Sequence, residues 1–199
     1  ARRALLAQAL RLFYDLGVRD FALFFDDVAA RFRHSADARH YGTFARAHAG
    51  VSNDLAAWLR ALDPRCTLAI CPTEYHGAPP FGDYLHELGA CLLPEIDVFY
   101  TGPDVCCPAI SAADVEGFAT ALGRAPILWD NYPVNDLGMQ FELHLEPVRG
   151  RSADLGGAVK GLLANPMLQP EASKIPLATL GTYLADPPGY DPDAAWEAA

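Results

Sequence analysis

Apolar residues recur near helical spacing through the first stretch, ARRALLAQALRLFYDLG. Leu5, Leu6, Leu10, Phe13 and Leu16 mark one face, and Gly17 is a plausible stop. The pattern then changes period. FALFF, Phe21 to Phe25, is a short continuous apolar run, which predicts a strand buried on both faces as in a parallel sheet. It breaks off at Asp26-Asp27, and a second amphipathic helix is expected over about His40 to Leu62. TLAIC, Thr67 to Cys71, predicts the next strand and ends at PTEY, followed by a helical segment from Phe81 to Leu93. DVFYT, Asp97 to Thr101, is a third strand. Ser111 caps a helix running to about Leu122. PILW, Pro126 to Trp129, is a fourth strand, and LHLEPV, Leu143 to Val148, a weaker fifth. Helices are expected around Leu155 to Ala164 and Ser173 to Ala185, and DPDAAWEAA reads as a further helical stretch.

Strands alternating with helices at this spacing argue for an α/β fold with a parallel sheet, and the whole of 1–199 reads as one domain portion without linker or repeat. The polar and aromatic clusters follow the strands, where a (β/α)₈ barrel or a doubly wound sheet builds its site. No GxGxxG or GxxxxGK[ST] follows any strand, so the barrel is preferred. Eight strands and typically ~250 residues make a closed barrel. The expected fold is therefore an incomplete (β/α)₈ TIM barrel, about its last five strands and their helices.

Composition narrows the partners. The 199 residues are 51% hydrophobic and carry a net charge of −10, the wrong sign for a nucleic-acid or anionic-membrane binder. No run of about 18 apolar residues predicts a membrane span, and the amino end lacks the apolar core of a signal peptide. The five cysteines are odd in number and include the vicinal pair Cys106-Cys107. They read as buried free thiols in a reducing, cytoplasmic compartment. No paired CxxC or HxxxH spacing points to zinc, and no metal or organic cofactor is indicated.

Asp26 and Asp27 are the sharpest chemical feature. Strand neighbours point to opposite faces, but at a strand's end the chain leaves the ladder and both carboxylates can turn to one pocket. Paired carboxylates resist double ionisation, which equips one of them to act as an acid. The competing reading makes one a helix cap and leaves the other solvated. Thr73-Glu74-Tyr75 and Tyr100-Thr101-Gly102-Pro103 are ordinary polar loops when taken alone. Trp129-Asp130-Asn131-Tyr132-Pro133-Val134-Asn135-Asp136 combines stacking surface with amide and carboxylate groups, suited to a sugar, or is a buried Trp before a turn. Asn165-Pro166 is expected to end a helix. His34, His40, His48, His76, His86 and His144 show no paired spacing, and a Ser-His-Asp site lacks its GxSxG elbow.

Taken in order, FALFFDDVA, Ala47-His48-Ala49, PTEYHG, VFYTGPDV, ILWDNYPVND and LANPMLQPEASKI resemble the O-GlcNAcase family, glycoside hydrolase family eighty-four, from about Val18 to the carboxyl end. The resemblance implies a (β/α)₈ barrel that removes β-linked N-acetylglucosamine from glycoproteins or glycosides. It implies substrate-assisted catalysis, with the 2-acetamido oxygen as nucleophile and an oxazoline intermediate. Asp26 would orient the acetamido N–H, and Asp27 would act as general acid and then base. Tyr75 would bond the acetamido group and Trp129 would wall its methyl. Asn131 would hold the polar side, while Asp136 and Asn165 would grip hydroxyls. The family also uses a glycine and a lysine from earlier strands, which makes a missing N-terminal barrel portion an expected partner. Gly50 stands where the family usually has Gln. Two other readings compete: a non-catalytic glycan- or protein-binding barrel remnant, and a hexosaminidase or hyaluronidase-like enzyme of another family, which usually carries Asp-Glu at the acid position.

Overall fold

A computed structural model describes residues 2–29 and 31–199, with the backbone alone at 2–4. Ala1, where the first helical stretch opens, and Ala30 lie outside the described residues. Five strands alternate with helices: α1 (Arg2–Asp15), β1 (Asp20–Phe24), α2 (Ser35–Tyr41), α3 (Phe44–Leu62), β2 (Thr67–Cys71), α4 (Asp83–Cys91), β3 (Asp97–Tyr100), α5 (Ala112–Leu122), β4 (Ile127–Asp130), α6 (Leu155–Ala158), β5 (Gly161–Ala164), α7 (Pro170–Ala185) and α8 (Pro192–Ala198). Strand order follows chain order, β1-β2-β3-β4-β5, and every registered pair is parallel. This is the α/β, parallel arrangement expected. Among the described residues no helix is long and apolar enough to cross a membrane.

The chain divides into two compact units. The first takes the residues up to Tyr75 with Phe81–Phe99 and Ala121–Arg124. Its frame is β1 paired with β2 from Asp20↔Thr67 to Phe24↔Cys71, and β2 with β3 at Ala69↔Asp97 and Ile70↔Val98. Helix α3 buries Ala45, His48, Ala49, Ser52, Leu55, Ala56 and Leu59, a stripe at three- and four-residue spacing. Leu68, Ile70, Leu85, Leu88, Ile96 and Val98 complete the core. Each such side chain stabilises the fold by roughly 1.5–3 kcal/mol. Gly89 lets α4 approach the end of α5 closely, since a Cβ there would lie 1.9 Å from the Leu122 carbonyl oxygen. Arg124 donates to the carbonyls of Gly89, Leu92, Leu93 and Ile96, which satisfies the open end of α4 and the turn after it.

The second unit takes His76–Pro80, Tyr100–Thr120 and Ala125–Ala199. Strand β4 pairs with β5 from Ile127↔Gly161 to Asp130↔Ala164. Tyr100, stacked on Phe118 at 4.2 Å, donates its hydroxyl to Gly77 O at 2.8 Å. The Ser111 cap forms as expected: it accepts from Asp114 N, and Asp114 Oδ2 accepts from Ser111 N in return.

Five expectations are corrected. Strand β1 is not buried on both faces: Phe21 and Phe25 are buried, while Ala22 is exposed and Phe24 is 48% exposed. Among the described residues it pairs on one edge only, with β2. The helix expected from His40 is two helices. Gly42 at φ +74° ends α2, and Thr43 caps α3 by accepting from Arg46 N. LHLEPV forms no strand. Side chains take its backbone groups: Trp196 Nε1 donates to Leu145 O, Tyr132 Oη to Glu146 O and Tyr190 Oη to Val148 O, while Val148 N donates to Thr179 Oγ1. The fifth strand is GLLA instead, inside the segment expected as helix. Gly156-Gly157 limit α6 to four residues, and the chain leaves it extended at Val159. Asn165 therefore follows a strand and does not end a helix.

Candidate active site

The first unit carries Asp26, Asp27 and Tyr75. Val28 N donates to Phe25 O at 3.1 Å, so Asp26 and Asp27 are the two central residues of a tight turn at the end of β1. That turn is the departure from strand alternation which the adjacent carboxylates required. Asp26 is half-buried and Asp27 exposed, and α2 begins eight residues after Asp27, so neither aspartate caps it. Among the described residues neither carboxylate has a hydrogen-bond or ion-pair partner. Their charges reach the buried Cys71, whose thiol is pushed up first by burial and then by Asp26 and Asp27.

The loop after β2 is tied to this turn. Thr73 Oγ1 donates to Phe25 O at 3.0 Å, and Thr73 N donates to Tyr84 Oη at 3.2 Å. Tyr75, two residues on, is half-buried. Glu74 lies near Gly82, with its carboxyl raised by burial. Beneath the turn, the ring of Phe25 stacks on that of His48, 4.1 Å between centroids and 9° from parallel. His48 Nδ1 lies 2.9 Å from Tyr84 Oη, and burial lowers the imidazole to about 4.

The second unit carries Trp129, Asn131, Asp136 and Asn165. Trp129 lies within β4, in register with Leu163 of β5, so the two share a sheet face. Two residues beyond each come Asn131 and Asn165, and these meet: Asn165 Nδ2 donates to Asn131 Oδ1 at 3.0 Å, while Asn131 Nδ2 donates to Val105 O at 2.8 Å. Both amide orientations are thereby set. Asp136 is exposed and begins a 3₁₀ turn, Leu137–Met139. Its predecessor, the fully buried Asn135, donates to Glu142 O and Gln169 Oε1 and accepts from Leu168 N, which pins the loop.

Two supports went unread in the sequence. Arg151 forms a buried ion pair with Asp130, Nε to Oδ2 at 2.8 Å and Nη2 to Oδ1 at 2.5 Å, and also donates to Arg149 O. Tyr84 is the other, since a phenol on a helix carries no spacing signal for a partner 36 positions away. The cysteines are all free, but only Cys66 and Cys71 are buried. Cys91 and Cys106 are exposed and Cys107 half-buried, against the expectation of buried thiols throughout. Among the described residues no group of three or more His, Cys, Asp or Glu side chains could hold a metal ion.

Comparison with known proteins gives this geometry a context. The family model described as beta-N-acetylglucosaminidase matches residues 1–199. The chain is 37% identical over 172 residues to the Protein O-GlcNAcase of Rattus norvegicus and equally to that of Mus musculus, covering 84% of this chain and 18% of each relative. Among solved structures, a variant of the Thermobaculum terrenum O-GlcNAc hydrolase is 38% identical over 98% of this chain and 42% of its own, with a TM-score of 0.95. CpGH84B is 28% identical over 98% of this chain and 34% of its own, with a TM-score of 0.82. The chain thus spans under a fifth of the curated relatives and under half of the solved ones. The fold class expected from the sequence, an incomplete (β/α)₈ barrel, stands on this likeness.

Proposed function

Because this chain belongs to the β-N-acetylglucosaminidase family, we propose that it carries the acid-base end of a retaining, O-GlcNAcase-like enzyme that removes β-linked N-acetylglucosamine from glycoproteins or glycosides. In this reading the substrate's acetamido oxygen attacks the anomeric carbon as the glycosidic bond breaks. Asp26 accepts a hydrogen bond from the acetamido N–H and stabilises the positive charge that develops on the way to the oxazoline. Asp27 gives its proton to the leaving oxygen, then takes one from the water that opens the oxazoline, with net retention.

Tyr75 bonds the acetamido group and Trp129 faces its methyl. Asn131 supports the polar wall, and Asp136 and Asn165 take sugar hydroxyls. The edge of β1 that has no strand partner among the described residues goes to the remaining strands of the barrel, and the five free thiols suit a cytoplasmic setting.

The observation that carries this reading is the Phe25–Val28 turn, which puts two carboxylates side by side at a strand end, neither of them paired among the described residues. A binding remnant has no use for an acid in that position. A thiazoline mimic of the oxazoline tests the mechanism. Competitive inhibition of aryl N-acetylglucosaminide hydrolysis is expected, and indifference to it would remove substrate assistance.

A further inference from the structure

The residue before the two aspartates is held from every side. Phe25 N donates to Cys71 O at 2.8 Å, its carbonyl accepts from Val28 N and from the Thr73 hydroxyl, and its ring stacks on His48. Thr73 is fixed in turn by its N–H on Tyr84 Oη, and Tyr84 by His48 Nδ1. The contacts close a circuit from Phe25 through Thr73, Tyr84 and His48 back to Phe25. We infer that Thr73, Tyr84 and His48 are positioning residues that fix the Phe25–Asp26 peptide and so aim the two aspartates, an inference that rests on the catalytic reading of that pair.

The peptide is planar, so a carbonyl held by two donors sets the plane that carries Asp26 N. Only the dihedrals of Asp26 and Asp27 remain, and the Val28 hydrogen bond restrains those. His48 sits in the apolar stripe of α3 at 7% exposure, where a leucine would pack without desolvating a polar ring. Its backbone oxygen accepts from Ser52 Oγ at 2.7 Å, so that part of the helix is also braced. Tyr84 Oη accepts from Thr73 N, which leaves the phenol hydrogen for Nδ1 and puts the proton of a neutral imidazole on Nε2. A buried network satisfied in this way specifies one arrangement where an apolar cluster would tolerate several.

The test uses the full-length enzyme, assayed on 4-methylumbelliferyl N-acetylglucosaminide. Thr73→Val and Tyr84→Phe are each expected to lower kcat by about 10- to 100-fold, with KM within about threefold and the melting temperature near the parent's. Thr73→Ser, which keeps the hydroxyl, should restore kcat to within about threefold of the parent. The double variant should lose no more than the worse single one, because both break the same circuit. Parental kcat in Thr73→Val, or a Thr73→Ser as slow as Thr73→Val, overturns the inference. That serine-valine pair decides the matter even if Tyr84→Phe does not fold. Asp26→Ala run alongside separates the levels, because the acetamido contact given to Asp26 is needed whatever the leaving group: if it is inactive while Thr73→Val is fully active, only the positioning role fails. If Asp26→Ala is fully active, the catalytic reading beneath it fails.

Discussion

Asp130 and Arg151 meet in an ion pair whose side chains are 3% and 4% exposed. It joins the last residue of β4 to the residue bridged in parallel to Ile110. Asp130 immediately precedes Asn131, so the pair fixes the backbone from which a proposed sugar contact projects. Burying two charges is costly, and removing one partner leaves the other uncompensated. Arg151→Met is expected to destabilise by about 3–5 kcal/mol, read as a fall in the urea midpoint. Arg151→Met with Asp130→Asn should recover part of that loss. A midpoint unchanged in the single variant contradicts the role given to the pair.

His48 makes stability depend on pH. Its folded value is lowered by burial to about 4, against 6.5 in an unfolded chain. Between these values the unfolded state binds a proton that the fold does not, so stability rises with pH across that window. The contribution is complete above 6.5 and is lost progressively as pH falls toward 4. His48→Gln keeps a polar partner for Tyr84 without titrating. Melting temperature followed across this window should fall more steeply with acidity in the parent than in the variant, and parallel profiles would contradict the assignment.

Two helical glycines should respond in opposite ways. Gly89→Ala forces a methyl into the Leu122 carbonyl, and a loss of about 1–3 kcal/mol is expected from overpacking. Gly181, exposed on α7, has nothing within 4 Å of where an alanine methyl would sit, so Gly181→Ala should gain about 0.5–1 kcal/mol. Thermal unfolding of the two variants checks both signs, and equal effects would show that the close approach at Gly89 is not tight.

The parts legible in the sequence were those set by local signals. The bounds of TLAIC are legible because its apolar run and Pro72 are both local, and the helix start at Ser111 because its cap partner lies three residues away. The fifth strand was misplaced because LHLEPV has a strand's alternation, while side chains far along the chain claim its hydrogen bonds. The exposed Phe24 face escaped because an apolar run does not say what covers it. At the site, Asp26, Asp27 and Asn131 are legible from residue type after a strand, and Asn165 from the family motif alone. The contacts that hold them, Thr73 with Phe25, Tyr84 with His48 and Asn165 with Asn131, join positions 34 to 48 apart, and no sequence period reports them.

The central claim is that Asp27 protonates the leaving oxygen, and its most direct test compares leaving groups. In Asp27→Ala of the full-length enzyme, kcat/KM should fall by about 10²–10⁴-fold on an alkyl or serine-linked N-acetylglucosaminide, the usual reach of general acid catalysis. A nitrophenyl glycoside, whose leaving oxygen needs little protonation, should lose far less in bond cleavage. Equal losses on both substrates would contradict the account.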